Sequence, residues 1–294
     1  MRRAIIDLGT NTFNLLIADT QTQQVLFQIK EGVALGLGGI NEGRIDNAAI
    51  DRAMLALKKF KDHCATFQVQ EIHAIGTSAL RDAQNASDFV QKVALELQIQ
   101  IEIVSGLREA ELIYKGVKLT HHFDAPALIM DIGGGSTEFI AADANGPFLA
   151  QSFDIGVSRL FQYFEYQDPF TIEDIERVES YLLERCSHFF KQNLPDVLIG
   201  SSGSFETFYE LLAQEVFNPC GSSVQVDTAE FKKMLDRIIS STQAERDADP
   251  HIISIRKRMA PLAAIKTRWV LAQAKIKHVY ISPYSLKEGV LFDL

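Results

Sequence analysis

Two aspartates 124 residues apart each close an apolar run and open a turn of small hydrogen-bonding residues. The first stretch reads Asp7-Leu8-Gly9-Thr10-Asn11-Thr12, the second Asp131-Ile132-Gly133-Gly134-Gly135-Ser136, continuing into Thr137 and Glu138. A turn of this kind aims backbone N–H groups at an anion, and carboxylates beside it offer the hard oxygens that Mg²⁺ prefers. Asp7, Asp131 and Glu138 are therefore candidate metal-supporting groups. Gly9, Thr10, Asn11 and Thr12, with Gly133, Gly134, Gly135, Ser136 and Thr137, are candidate anion contacts. Three glycines in a row remove every Cβ, which predicts a backbone that approaches a ligand closely and visits positive φ. The plain alternative is a glycine-rich hairpin turn.

The same offset recurs downstream. Gly32-Val33 is answered by Gly156-Val157, and Ile75-Gly76-Thr77-Ser78 by Ile199-Gly200-Ser201-Ser202. Three agreeing registers predict two similarly folded halves. Their loops would face each other across a cleft suited to a polyphosphate, with Ser202, Gly203 and Ser204 as a third loop.

Glu109 is the candidate general base. Glu109, Leu112, Ile113 and Gly116 share one stripe of a helix starting after Ser105-Gly106, while Glu111 faces solvent with Lys115 four residues on as its ion partner. An inward, partly desolvated carboxylate has a raised pKa and can activate water; a glutamate merely complementing a helix N-terminus is the alternative. Arg81 lies one turn beyond Gly76-Thr77-Ser78, placed either to clamp a phosphate over the cleft or to point into solvent.

The elements that must hold these groups alternate between strand and helix, which predicts α/β architecture. Strands are expected at 3–8, 13–19, 25–30, 71–75, 101–104, 127–132, 139–142, 197–200 and 278–281. Helices are expected at 47–67, capped by Asp46 or Asn47, then at 89–97, from 105, at 172–192 and at 286–292. The polar stretch His121-His122-Phe123-Asp124 divides the chain into 1–122 and 123–294. Gly36, Gly38 and Gly39 form a turn and not a dinucleotide fingerprint. Cys64, Cys186 and Cys220 are widely spaced, as reduced thiols of a cytoplasmic protein would be. The N-terminus enters a strand directly, without the apolar segment of a leader, and no membrane or nucleic-acid polymer partner is expected.

The net charge of −9 is unevenly spread. Between Arg256 and Lys277 there are seven basic residues and no acidic one, so Arg256, Lys257, Arg258 and Lys266 either border the route of a phosphate chain or form a solvated face.

Taken in order, Asp7 to Thr12, Gly76-Thr77-Ser78-Ala79-Leu80-Arg81, Ser105-Gly106 with Glu109-Ala110, Asp131 to Glu138 and Leu286-Lys287-Glu288-Gly289-Val290 resemble the exopolyphosphatase/guanosine pentaphosphate phosphohydrolase family. The resemblance runs over essentially the whole chain. It implies two duplicated ribonuclease H-like (actin-like ATPase) domains around a central cleft, Mg²⁺ as cofactor and a homodimer. It also implies that Glu109 activates water, that Arg81 clamps a phosphate over the cleft, and that Arg256 contacts substrate. The chain departs from the family pattern at Ala34, where a basic residue is usual, and in having Gly200-Ser201-Ser202-Gly203-Ser204 as its third loop. It looks like the short form, without a helical C-terminal extension. The expected reaction is release of terminal orthophosphate from polyphosphate. Guanosine pentaphosphate hydrolysis, or binding of an alarmone or polyphosphate without turnover, are the alternatives.

Overall fold

The computed structural model describes residues 1–22, 24–218 and 221–293. The first sheet contains β1 (Arg2–Leu8), β2 (Thr12–Asp19), β3 (Gln24–Gly32), β4 (Glu71–Gly76) and β5 (Ile101–Ile103), in the order β3-β2-β1-β4-β5. β1, β2 and β3 form an antiparallel meander, while β4 and β5 run parallel to β1 and β4 respectively. The second sheet contains β6 (Ala127–Ile132), β7 (Thr137–Asp143), β8 (Gly146–Phe153), β9 (Val197–Ser201), β10 (Val224–Val226) and β11 (His278–Ile281), in the order β10-β11-β9-β6-β7-β8. Its β8-β7-β6-β9-β11 portion repeats the first sheet with the same directions. The duplication expected from the 124-residue offset is therefore real. Asp7 pairs with Asn14 across β1 and β2 where Asp131 pairs with Glu138 across β6 and β7.

Local chemistry accounts for the helices. In α1 (Asn47–Thr66), Asp46 caps the N-terminus by accepting from the Ala48 N–H, and Ala49, Ala53, Leu57, Phe60 and Cys64 form a buried stripe. The first half continues with α2 (Ser78–Asp82), α3 (Ala86–Leu97) and α4 (Gly106–Lys118), the last capped by Ser105. In the second half α5 (Val157–Tyr163) and α6 (Ile172–Phe190) precede β9, and α7 (Ser202–Ala213) follows it directly. Then come α8 (Thr228–Ser240), α9 (Gln243–Ala248), α10 (Ala260–Gln273) and α11 (Leu286–Asp293).

The sequence reading missed β8, α5 and β10. β8 is an outer strand, only half-buried along most of its length, so it lacks a strong apolar alternation. β10 has three residues and α5 only two turns, too short for a period to show. The 124-residue register ends after β9, because β10 and α8 to α10 intervene before β11 takes the position that β5 holds in the first sheet.

α4 and α11 lie together between the two sheets. Ala110, Leu112, Ile113 and Val117 of α4 share a core with Leu286, Val290 and Leu291 of α11, Ile5 and Leu16 of the first sheet, and Ile129 and Ile140 of the second. The helices touch backbone to backbone. A Cβ on Gly116 would lie 1.9 Å from the Ser285 carbonyl oxygen, and one on Gly289 1.8 Å from that of Leu112.

Among the described residues no helix is long and apolar enough to cross a membrane. Cys64 and Cys186 are buried free thiols, and burial pushes them up to about 11 and about 12, so they are unreactive. Cys220 lies outside the described residues. His121 does more than link the halves: its ring lies edge-on to Phe123 and Tyr280, and Nδ1 is 2.8 Å from Ser223 Oγ.

Candidate active site

The two repeated turns meet. One cavity is lined by Asp7, Gly9, Thr10, Asn11 and Thr12 from the first half, and by Asp131, Gly133, Gly134, Gly135 and Ser136 from the second. Ser202, Gly203 and Ser204 at the start of α7, Glu109 of α4 and Arg256 complete the predicted residues on its wall. Each loop is placed by the strand end before it, and the chain after the third strand ties the loop down. Val33 and Ala34 donate N–H to Asn11 O, while Gly156 and Ser158 donate to Gly135 O and Gly134 O.

The glycines are needed for a reason other than the one expected. None of Gly133, Gly134 or Gly135 has positive φ. The requirement is space: a Cβ on Gly134 would fall 2.7 Å from Asn11 Oδ1, and one on Gly135 2.5 Å from Ser78 Oγ. The loop of one half therefore rests directly on the loop and α2 of the other.

Glu109 lies in the first turn of α4, and 6% of its surface is exposed. Arg81 Nη1 donates to Glu109 Oε2 at 2.9 Å and to the Val104 carbonyl at 3.2 Å. Burial, and then the neighbouring Glu138 charge, raise the Glu109 pKa well above the ordinary carboxylate range, with Arg81 opposing. Arg81 does not border the cavity as the clamp expected from sequence. It touches the cavity wall through Glu109. Replacing Arg81 by glutamine removes the charge that opposes the rise, so the acidic limb of the pH–rate profile should move to higher pH. An unmoved limb would show that Arg81 does not act on Glu109.

The expected ion pair between Glu111 and Lys115 is not formed. Glu111 accepts from Arg108 at 3.2 Å, and Lys115 reaches Asp293 of α11. Lys115 is drawn away by α11, which no spacing within α4 could reveal, while Glu111 pairs three residues back within its own helix.

Glu138 and Thr137 are buried behind the loop and do not line the cavity. Glu138 Oε1 accepts from Ser152 at 2.6 Å, and burial followed by the Asp131 charge raises its pKa to about 7. Thr137 Oγ1 accepts from Lys266 Nζ at 2.5 Å. Asp131 Oδ2 accepts from Ser201 at 2.8 Å and from Ser285; Asp7 Oδ2 accepts from Asn14 at 2.9 Å. Burial raises both aspartate pKa values, that of Asp7 to about 6.

Among the described residues no three His, Cys, Asp or Glu side chains converge tightly enough to hold a metal ion unaided. The donor chemistry still fits Mg²⁺, which keeps several waters and takes one or two carboxylates together with substrate phosphates. Asp7 and Asp131 both face the cavity and carry these hydrogen bonds on Oδ2 alone.

The side chains of the basic block are dispersed. Arg256 reaches the cavity; Lys257 bonds the Asp247 carbonyl with Nζ at 2.5 Å, and Arg258 covers the Phe161 ring. Lys266 is buried, and Arg268 pairs with Glu179 and Asp236. Cavity residues the sequence reading passed over are Asn14, Lys30, Glu206, Ser285 and Lys287. Asn14 had a signal, since it holds in the first half the place of Glu138. Lys287 lay inside a quoted motif without a role. Burial opposes its charge, but Glu288, at 2.8 Å, and then Glu206 keep it protonated.

Comparison with known proteins agrees with this architecture. Residues 16–294 match the Ppx/GppA phosphatase family. The crystal structure of an exopolyphosphatase from Cytophaga hutchinsonii is 35% identical, with 99% of this chain and 97% of that one covered and a TM-score of 0.96. An exopolyphosphatase-like protein is 26% identical, over 100% and 98% of the two chains, with a TM-score of 0.91. The Ppx-GppA enzyme of Aquifex aeolicus, 24% identical over 100% and 99% with a TM-score of 0.82, shares the fold. With the family match spanning residues 16–294 and a 35% identical structure covering 99% of the chain, this chain belongs to the Ppx/GppA phosphatase family.

Proposed function

We propose that the protein is a Mg²⁺-dependent phosphohydrolase that releases terminal orthophosphate from inorganic polyphosphate. The observation that carries this reading is Glu109, a buried carboxylate held by Arg81 on the wall of a cavity that the repeated turns of both halves border. The turns and the N-terminus of α7 bind phosphate oxygens through backbone and hydroxyl donors. Glu109 takes a proton from water as the oxygen attacks the terminal phosphorus, and the bridging oxygen leaves with the shortened chain. Arg81 fixes Oε2 and leaves Oε1 for the proton. Asp7 and Asp131 would hold Mg²⁺, which when bound neutralises charge on the phosphate oxygens.

Among the described lining residues the one aromatic ring is Phe208, and it is buried, so the wall offers no ring face to stack a guanine. That favours polyphosphate over guanosine pentaphosphate. Side-by-side kcat/KM on the two substrates tests the preference, which the reading expects to lie with polyphosphate; binding of either without orthophosphate release would make the protein a sensor. The division at residue 122 and the cytoplasmic homodimer belong to the same proposal, the latter tested by light scattering.

The metal role has its own check. Asp131→Asn should raise the Mg²⁺ concentration needed for half-maximal activity. Burial pushes Asp7 up from 3.8 to about 6 and Glu138 from 4.5 to about 7. Folded-state pKa values raised in this way give stability that is present below the unfolded values and lost as pH rises through about 4 to 7. A cation bound to ionised carboxylates restores it. Mg²⁺ should therefore raise the melting temperature more at pH 8 than at pH 5, and less in Asp131→Asn. Equal shifts at both pH values, or in both proteins, would refute the assignment.

A further inference from the structure

Beside Asp7, Asp131 and Glu109, the cavity wall carries one more carboxylate, whose sign is wrong for a site that binds a polyanion. Glu206, in the second turn of α7, points its carboxylate between cations of both halves. Lys30 Nζ of β3 lies 2.7 Å from Oε1 and 2.5 Å from Oε2, and Arg256 Nη2 lies 3.4 Å from Oε2. Arg256 is fixed in turn by donating to Thr207 Oγ1 at 2.9 Å and by packing on Gly203, where any Cβ would fall 1.9 Å from Nη2. All of these residues line the cavity. Burial would raise the Glu206 pKa, but Lys30, Arg256 and Lys287 hold it at about 2, so the carboxylate is ionised at any working pH.

Two oxygens bridging a lysine and an arginine reproduce the contacts that a phosphate oxyanion makes with the same pair. We propose that Glu206 limits how tightly phosphate is held: it is a tethered competitor whose carboxylate occupies the place between Lys30 and Arg256 that one phosphate of a bound chain takes. The proposal rests on the reading of the cavity as a phosphate-chain site. A polyphosphate displaces Glu206 because its other phosphates are already held at the glycine turns. Orthophosphate and other small anions have no such second hold, so they occupy the cavity weakly and the product leaves readily.

A different account makes the same contacts a strut. Lys30 lies in the first half and Glu206 in the second, so the pair could serve only to hold the halves together. The two accounts differ in sign. As a strut, the pair is broken equally by removing either charge, and ligand affinity then moves in one direction. As a competitor, Glu206→Gln frees two cations for the ligand, whereas Lys30→Gln removes one of them.

The experiment is titration calorimetry of tripolyphosphate and of orthophosphate with Mg²⁺ in a Glu109→Gln background, where turnover is suppressed, with Glu206→Gln or Lys30→Gln added. Glu206→Gln should tighten both ligands roughly tenfold and Lys30→Gln should weaken both by a similar factor, the scale of one charge-assisted hydrogen-bonding partner. If Glu206→Gln does not fold, Glu206→Asp, which keeps the charge but not the reach, should shift affinity in the same direction by less. Weaker or unchanged binding in the Glu206 variant overturns the competitor. Failure of the Glu109→Gln parent to bind tripolyphosphate at all would instead overturn the phosphate-chain reading beneath it.

Discussion

Replacing Glu109 by glutamine will lower kcat on polyphosphate by about 10²–10⁴-fold, the usual cost of losing a general base, while substrate binding stays nearly intact. Glutamine keeps the length of the side chain and can still accept from Arg81 through its amide oxygen, so the geometry around Oε2 is preserved. What it loses is the capacity to take a proton. The expectation rests on position: Glu109 is buried, borders the cavity and is held by a guanidinium at 2.9 Å. Turnover within about threefold of the wild type would remove Glu109 from the mechanism and leave water activation to another group.

The second large effect lies away from the chemistry. Gly289→Ala should destabilise the protein by about 3 kcal/mol, at the upper end of overpacking costs, because the obstacle is backbone and cannot rotate away. The added Cβ would fall 1.8 Å from the Leu112 carbonyl oxygen, so α4 and α11 must separate. α4 carries Glu109 and α11 carries Lys287, so activity should fall even in the fraction that remains folded. Gly221→Ala is the comparison, since its nearest neighbour would be 3.7 Å away. Urea denaturation of both variants checks this. A Gly289→Ala midpoint equal to that of Gly221→Ala would show that the helix contact has slack that the backbone distances do not suggest.

The duplicated architecture could be read from the chain because each half writes the same turn at the same strand end, and the offset held from Asp7 and Asp131 through Gly76 and Gly200. It failed beyond β9, where inserted elements separate β11 from the strand it follows in the sheet. Glu109 was readable because a helical stripe depends only on spacing. The partner of Arg81 was not, since Arg81 and Glu109 meet only after β4 and β5 pair. The basic block stayed open between two readings for a related reason: its seven cations, close in sequence, lie on a connecting segment, a helix and a loop with different surroundings. Lys30 and Glu206 carried no local signal at all, being an exposed-looking lysine on an outer strand and a glutamate in an ordinary helix. Their significance exists only once the halves close on each other.

Product analysis during digestion of long-chain polyphosphate tests the central claim most directly. With Mg²⁺ present, the wild-type protein should release orthophosphate from the first time points as the sole small product, and Glu109→Gln should release almost none under the same conditions. Chains cut into fragments of intermediate length, or equal orthophosphate release by the two proteins, would contradict terminal hydrolysis driven by Glu109.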